Sequence, residues 1–369
     1  MKKIWLSLLL LLATTRSFGQ ILNDPPVQQM ILKALDGIYN YQFDTSENYQ
    51  RQIRSKYPQS PVGPLLKAIQ LYWQYLPLRD NKTVLPQYVQ QVTQGLDLAR
   101  RRLDRDSDDP EGVFFALTAH GYLAMKYNYD NETMKAVNEA KKAYGYMKQG
   151  FKLTEKNAEF YFTTGLYNYY VERYPMDHPI VRPVMWFFQD GNMAQGLGQM
   201  ETAVRRGIFT RTETSFYLSH IYLEHESQPA KAAAHLKTLA DRYPNNPLFT
   251  MRCAEALLLA NRPEEAGPYL QRTLKMPQKL LDMPGLVLQG MLYERDGQSD
   301  KATSAYQAAL KIPFSEEFTR EFHGHALAGL ARLAARSGNK NLAKQYYRKM
   351  LDVAQYKSNL REARAYLKE

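Results

Sequence analysis

The sequence has 369 residues, of which 44% are hydrophobic, 23% are charged and one, Cys253, is a cysteine. A single cysteine excludes an internal disulfide, and the absence of low-complexity segments and linkers favours one continuous domain. The formal net charge is +11, but the densest basic run, residues 99–109, alternates arginines with aspartates and matches no nucleic-acid-binding motif, which favours a solvated face over a nucleic-acid site.

The first 19 residues have the features of a secretory signal. Two lysines precede an apolar run over residues 4–13, and small residues at Ser17 and Gly19 favour cleavage after Gly19. The apolar run is shorter than the roughly 20 residues of a membrane span, and no cysteine follows the cleavage site to carry a lipid. We therefore expect a mature chain that starts at Gln20 and has no transmembrane segment or lipid anchor. Its expected location is the periplasm, or alternatively the cell surface or the medium.

Residues 20–109 show helical periodicity without a clear repeat. Apolar side chains recur on one face between Val27 and Ile38, and again between Leu65 and Trp73. Alternating strand-like runs are absent from the sequence. The pattern predicts an all-α fold that begins with divergent helical hairpins and continues without a domain boundary into the rest of the chain.

Residues 110–369 contain an internal repeat. Its clearest copy, residues 283–314, combines Gly290 in a first helix, a turn at Gly297, and Ala302 and Tyr306 in a second helix. From Gly196 onward, the small residue of the second helix recurs at spacings of 34 to 41 residues. The small residues in order are Ala140, Gly196, Ala232, Ala266, Ala302 and Ala343. The spacing predicts stacked helix-turn-helix hairpins, closed by a C-terminal capping helix.

This repeat resembles the tetratricopeptide repeat (TPR) family, most clearly from Glu213 onward. The resemblance implies a right-handed superhelical solenoid whose first helices line a concave groove. It also implies a non-enzymatic scaffold that binds a peptide or a helix of another envelope protein in that groove. The groove-facing positions of the family pattern fall on Tyr217, Ile221, Glu224, Met251, Glu255, Val287, Met291, Glu294 and Arg332.

An insertion at residues 174–191 interrupts one hairpin. Prolines at positions 175, 179 and 183 are incompatible with an ordinary helix interior, so the helical pattern is expected to break there. The sequence VMWFF, residues 184–188, is predicted to fix the connection by packing on a neighbouring helix pair. An alternative hypothesis makes the insertion a small-ligand or catalytic site. The residues of that site would be Asp177, His178, Arg182 and Trp186. A third hypothesis is self-association through the aromatic residues, which leaves a homo-oligomer possible.

No motif indicates a catalytic centre, a metal site or a cofactor. His220 and His225 are separated by about 140° around a helix, so they are not expected to share a metal ion. His323 and His325 are predicted to be surface or packing residues, and Cys253 a small buried side chain rather than a reactive thiol. We therefore expect neither enzymatic activity nor a bound cofactor.

Overall fold

The structure is a computed structural model that describes residues 20–177 and 179–368. The predicted signal, residues 1–19, and His178 lie outside the described residues. Within these two ranges the chain forms 17 α-helices and no β-strand, which confirms the all-α prediction. None of the helices in the described ranges is long and apolar enough to cross a membrane.

The α-helices are numbered in chain order and are joined by short connections. Their bounds are α1 (Pro25–Tyr39), α2 (Phe43–Lys56), α3 (Val62–Gln74), α4 (Leu85–Leu103), α5 (Pro110–Tyr129), α6 (Thr133–Leu153), α7 (Phe160–Asp177), α8 (Met193–Arg206), α9 (Arg211–Glu224), α10 (Pro229–Arg242), α11 (Pro247–Leu259), α12 (Pro263–Lys275), α13 (Asp282–Arg295), α14 (Ser299–Ala309), α15 (Arg320–Arg336), α16 (Lys340–Leu351) and α17 (Lys357–Lys368). A 3-10 helix, Pro179–Phe187, follows α7.

The helices pair as eight hairpins, α1–α2 to α15–α16, followed by α17. Each helix packs chiefly on its neighbours in sequence, and the first helices of successive hairpins also touch, as α11 touches α13 and α13 touches α15. This pattern of nearest-neighbour contact is that of a solenoid of TPR-like hairpins.

Local sequence signals set the helix ends. The side chains of Asn192 and Asn246 accept hydrogen bonds from the backbone N–H groups of Gln195 and Phe249, at 2.8 and 3.1 Å, and so begin α8 and α11. Pro247 follows Asn246 at the first helical position, where its missing N–H costs nothing. Gly297 adopts a φ of +73°, which permits the turn between α13 and α14.

Small residues allow close contact inside the hairpins. A Cβ on Gly290 of α13 would lie 2.6 Å from the Tyr306 ring of α14, so the glycine makes room for that ring. The α5–α6 hairpin differs from the repeat pattern, because Ala140 is exposed and Glu139 is buried in its place. Glu139 instead pairs with His120 of α5 at 2.5 Å, so this hairpin is joined by a polar contact that the small-residue spacing did not predict.

The N-terminal hairpins pack against the middle of the chain. Trp73 of α3 contacts the rings of Phe216 in α9 and Phe249 in α11, with centroids 6.4 and 5.3 Å apart. The backbone carbonyl of Tyr39 accepts a 2.9 Å hydrogen bond from the side-chain amide of Asn246. These residues belong to one continuous apolar core that extends from α1 to α15. The first hairpins therefore contact the helices at the middle of the superhelix, α9 and α11.

The last helix, α17, packs on α16 and α15. Glu362 of α17 accepts hydrogen bonds from Tyr347 of α16 at 2.9 Å and from Arg332 of α15 at 3.1 Å. Arg361 reaches Ser227, beyond the end of α9, at 2.6 Å. The C-terminal helix therefore covers the last hairpin and also touches the middle of the superhelix.

Candidate functional site

The predicted groove residues lie on first helices, and most of them are covered. Ile221, Met251 and Val287 are fully buried, and Met291 is nearly so. Tyr217 exposes 38% of its surface. The apolar part of the lining that the repeat pattern suggested is thus packed inside the protein.

Glu255, a predicted groove residue, belongs to a buried polar network. Its carboxylate contacts Arg252 of the same helix at 2.8 Å, His325 of α15 at 3.0 Å and the hydroxyl of Tyr356 at 3.0 Å. Burial alone would raise the pKa of Glu255, but the cationic and hydrogen-bonding neighbours, Arg252 foremost, lower this pKa to about 2. The network joins α11 to α15 and to the start of α17, and it holds Glu255 as a structural carboxylate.

The groove residues Glu294 and Arg332 form a second network. The Arg332 guanidinium donates two 2.8 Å hydrogen bonds to the Glu294 carboxylate, which also accepts one from the Tyr306 hydroxyl at 2.9 Å. Burial would raise the pKa of Glu294, but these donors hold it below its ordinary value. Since Arg332 also binds Glu362 of α17, the acidic part of the predicted lining is largely neutralised within the protein.

The structure brings together a cluster of tyrosines and carboxylates that the sequence did not predict. Glu317, in the connection before α15, accepts 3.0 Å hydrogen bonds from both Tyr72 and Tyr129. Tyr217 of α9 is partly accessible to solvent. Burial nevertheless raises the pKa of its hydroxyl to about 12, and the carboxylates of Glu213 and Glu317 add to this rise. Burial also raises the pKa of Glu213, one turn earlier in α9, to about 7.

Three of the four residues in the alternative hypothesis are described by the structure, and each contacts its own segment of the chain. Asp177 accepts a 2.8 Å hydrogen bond from Arg173, and Arg182 donates one to the Pro175 carbonyl at 3.2 Å. Trp186 lies outside these contacts and stacks on Phe187. Asp177 and Arg182 are thus both held by neighbouring residues of the same segment.

Two expectations about the path of the insertion are corrected by the structure. Helix α7 continues through Pro175 and ends at Asp177, so the first proline lies inside the last turn of the helix. Of the residues predicted to fix the connection, Phe188 packs on Tyr144 of α6 with ring centroids 5.3 Å apart. Trp186 is instead 74% exposed, because it leans on the neighbouring aromatic side chain and contacts no helix pair.

A cleft of about 950 Å³ opens where α7, α9 and α17 meet. We call it the α7–α9–α17 cleft. It brings together Asp177 of the insertion and Glu224 of the predicted groove, two residues that the sequence had placed in competing hypotheses. The rest of its polar lining is Arg173, His225, Glu226, Ser227, Gln355, Lys357, Arg361 and Arg364, and the apolar or aromatic part includes Tyr170, Tyr174, Met176 and Leu360.

The charges of this cleft do not cancel. Asp177 pairs with Arg173, and Glu224 with His220 at 2.6 Å. The third carboxylate of the lining, Glu226, accepts a hydrogen bond from Tyr169, so four cations, Arg173, Lys357, Arg361 and Arg364, face three carboxylates. In the described part of the chain, Lys357 and Arg364 form no ion pair with a carboxylate. Burial, together with the nearby Arg173 guanidinium, lowers the pKa of Lys357. The cleft therefore carries excess positive charge on its α17 side.

The histidine motifs have packing and pairing contacts. The carboxylate of Glu224 lies 2.6 Å from the His220 ring and 3.9 Å from the His225 ring. The two histidines thus contact the same carboxylate, which their angular separation around the helix did not suggest. Among the described residues, no group of three or more His, Cys, Asp or Glu side chains is placed to hold a metal ion. Cys253 is fully buried, and burial raises the pKa of its thiol to about 12.

Residues 223–279 match the family model described as tetratricopeptide repeat. No curated protein matches the chain in sequence. Three solved structures are similar to it at low identity. Yeast Tom70 is 14% identical, with 94% of this chain and 81% of that chain covered and a TM-score of 0.38. A tetratricopeptide repeat protein from Parabacteroides merdae ATCC 43184 is 12% identical, with 81% and 98% covered and a TM-score of 0.32.

The third structure is a human IFIT1 dimer with PPP-AAAA, 13% identical, with 91% of this chain and 87% of that chain covered and a TM-score of 0.36. At these TM-scores the three likenesses carry no information about partners. The family match covers α10, α11 and α12, where the repeat spacing of the sequence is most regular. Residues 223–279 are therefore similar to tetratricopeptide repeats, and they lie within an all-α solenoid of helical hairpins.

Proposed function

We propose that the protein is a non-enzymatic scaffold of the bacterial cell envelope that binds a segment of another protein in the α7–α9–α17 cleft. The observation that carries this proposal is an accessible cleft with two cations that form no ion pair among the described residues, on a fold typical of protein-protein interaction scaffolds. Because Ile221, Met251 and Val287 are buried, they are not available to a partner. We therefore assign the binding site to this cleft instead of the whole groove.

The lining of the cleft defines the kind of segment that would fit. Lys357 and Arg364 offer positive charge without a carboxylate partner in the described residues, and Tyr174 and Leu360 offer aromatic and apolar surface. A peptide with acidic residues and one or two apolar side chains would satisfy both. The opposing hypothesis, a small-ligand or catalytic site on the insertion, has less support, because Asp177 and Arg182 are held by Arg173 and the Pro175 carbonyl.

The envelope location rests on the signal-like residues 1–19. The structure is compatible with cleavage after Gly19, because the Gln20 side chain donates a 3.0 Å hydrogen bond to Asp109 and the N–H of Leu22 binds Glu111 at 2.6 Å. A mature N-terminus would thus be docked at the start of α5. Mass spectrometry of the exported protein should find a chain that begins at Gln20, and a retained leader would contradict this part of the proposal.

The binding proposal can be tested with a display library of random short peptides. Selected sequences should be rich in Asp and Glu, and their affinity should fall with added salt. Exchanging two cations of the cleft, Lys357→Glu with Arg364→Glu, should weaken binding at least tenfold, or about 1.4 kcal/mol.

The matched control exchanges two exposed cations of α16, Arg348→Glu with Lys349→Glu, which lie outside the cleft. This pair changes the net charge equally and should leave binding within about twofold. Selection of peptides without acidic residues, or equal losses in the two double variants, would refute the cleft as the binding site.

A further inference from the structure

The insertion presents an exposed apolar surface, which we call the aromatic patch. Its members are Tyr174, Met176, Ile180, Trp186 and Phe187. Ile180 is 89% exposed, Trp186 74% and Phe187 64%. Single exposed apolar residues are common on soluble proteins. A group of them close together in the chain typically marks a surface that contacts a membrane or another protein.

The aromatic patch projects from the solenoid. Trp186 and Phe187 stack with ring centroids 3.7 Å apart, and Phe188 anchors the end of the segment on Tyr144. Pro179 and Pro183, both exposed, restrict the backbone of the 3-10 helix between them. The patch is thus highly exposed and locally stiffened, whereas apolar anchors in protein partners typically enter a pocket.

A basic groove of about 950 Å³ adjoins the aromatic patch and shares Phe187 with it. Its cations are Arg100, Lys142, Lys148 and Lys152, and no acidic residue contributes to its lining. Among the described residues, Lys148 and Lys152 form no ion pair with a carboxylate. Arg100 pairs with Asp97 at 3.7 Å and Lys142 with Glu139 at 2.7 Å. The exposed apolar residues are therefore flanked by two cations, Lys148 and Lys152, that are available to bind anionic groups.

We propose that the aromatic patch and the basic groove bind the surface of a membrane that contains anionic phospholipids. The tryptophan and phenylalanine rings enter the headgroup region, where such side chains are favoured, and the lysines and Arg100 contact lipid phosphates. The aromatic patch borders the α7–α9–α17 cleft through Tyr174 and Met176, whereas the basic groove shares no lining residue with that cleft. The residues exchanged in the test below, Trp186, Phe187, Lys148 and Lys152, all lie outside the cleft lining, so the test separates this proposal from the peptide site.

The test uses the tryptophan that the patch itself contains. After residue 19 the sequence has two tryptophans, Trp73 and Trp186, and only Trp73 is buried. Vesicles of phosphatidylcholine with phosphatidylglycerol should shift the Trp186 emission to shorter wavelength and sediment the protein, whereas vesicles of phosphatidylcholine alone should do neither. Raising the ionic strength should reverse the binding.

Two double variants separate the contributions. Trp186→Ala with Phe187→Ala, and Lys148→Glu with Lys152→Glu, should each reduce vesicle binding at least tenfold. Leu274→Ala removes another exposed apolar side chain, on α12 and outside the patch, and should bind like the wild type. Circular dichroism should be the same for all variants, since the exchanged side chains are exposed.

Binding that both double variants retain would overturn the proposal, as would failure of the wild type to bind anionic vesicles. A wild type that ignores vesicles but sediments as a dimer, and becomes a monomer with Trp186→Ala and Phe187→Ala, would assign the aromatic patch to a second copy of the chain.

Discussion

Glu213 occupies an unusual environment for a glutamate. It lies in the first turn of α9, on the inner side of the superhelix, and forms no ion pair with a lysine or arginine of the described residues. Burial raises its pKa from 4.5 to about 7; the neighbouring Tyr39 hydroxyl opposes this rise only in part, and the carboxylate of Glu159 adds to it. A charged Glu213 is therefore destabilising at neutral pH, in contrast to Glu255, whose neighbours compensate for its burial.

This environment predicts a pH-dependent effect of Glu213→Gln. The unfolded chain loses the Glu213 proton near pH 4.5 and the folded protein only near pH 7, so the free energy of unfolding falls as pH rises through that window. Glutamine does not titrate and avoids this loss. The variant should gain on the order of 1–3 kcal/mol relative to the wild type between pH 4.5 and pH 8.

Urea denaturation at several pH values measures this gain. Glu264→Gln, an exposed glutamate of α12, is the matched control and should show a difference from the wild type that does not vary with pH. A pH-independent difference for Glu213→Gln would mean that its carboxylate is solvated in the folded protein.

At the scale of the helices, the hairpin that contains the insertion, α7–α8, depends on a very close approach of its two helices. A Cβ on Gly196 would lie 2.6 Å from the Gly165 carbonyl oxygen and 2.7 Å from the Tyr169 nitrogen. Both obstacles are backbone atoms, which cannot rotate away as a side chain can. The two glycines thus set the distance between the helices that flank the aromatic patch.

Gly196→Ala should therefore force α8 away from α7 and lower the free energy of unfolding by about 2–4 kcal/mol. Gly198→Ala, in the same helix, is the matched control, because a Cβ there meets no atom within 4 Å. Its higher helix propensity should stabilise the protein by up to about 1 kcal/mol. Chemical denaturation of both variants compares them directly, and equal effects would show that the helices can separate at little cost.

The helices and their pairing could be predicted because their signals are local. The spacing of Ala232, Ala266 and Ala302 reflects contacts inside one hairpin, and the family match covers that part of the chain. The candidate site could be predicted only in part. Asp177 and Glu224 were both identified, but their common cleft depends on α17, which comes from a distant part of the sequence. The exposure of Trp186 likewise depends on contacts that the insertion does not make with neighbouring helices.

At the scale of the whole molecule, contacts between distant hairpins distinguish this protein from a simple linear array of repeats. Asp36 of α1 accepts hydrogen bonds from Arg242 at 2.9 Å and Tyr243 at 2.7 Å, and Tyr72 of α3 reaches Glu317 at 3.0 Å. In a linear array each unit contacts only its neighbours, so terminal units can unfold separately. Here the first hairpins share a core with α9 and α11, which couples them to the centre of the chain.

The coupling predicts one cooperative unfolding transition, which Trp73 can report. In a Trp186→Phe variant, Trp73 is the only tryptophan after residue 19, and it lies between α3, α9 and α11. Its fluorescence and the far-ultraviolet circular dichroism should give coincident urea transitions. An earlier fluorescence transition would show that the N-terminal hairpins open on their own, as units of a linear array do.

Two helix-cap variants test the contribution of one contact between α1 and α11, the hydrogen bond from Asn246 to the Tyr39 carbonyl. Asn246 caps α11 and also donates to the Tyr39 carbonyl, whereas Asn339 caps α16 through Leu342 and has no bond to the first hairpins. In the Trp186→Phe background, both alanine variants should lose about 1 kcal/mol for the missing cap. Asn246→Ala should lose about 1–2 kcal/mol more, because the buried Tyr39 carbonyl is left without that donor. Equal losses would show that the contact between α1 and α11 does not stabilise the fold, and that the superhelix behaves as a stack of neighbours after all.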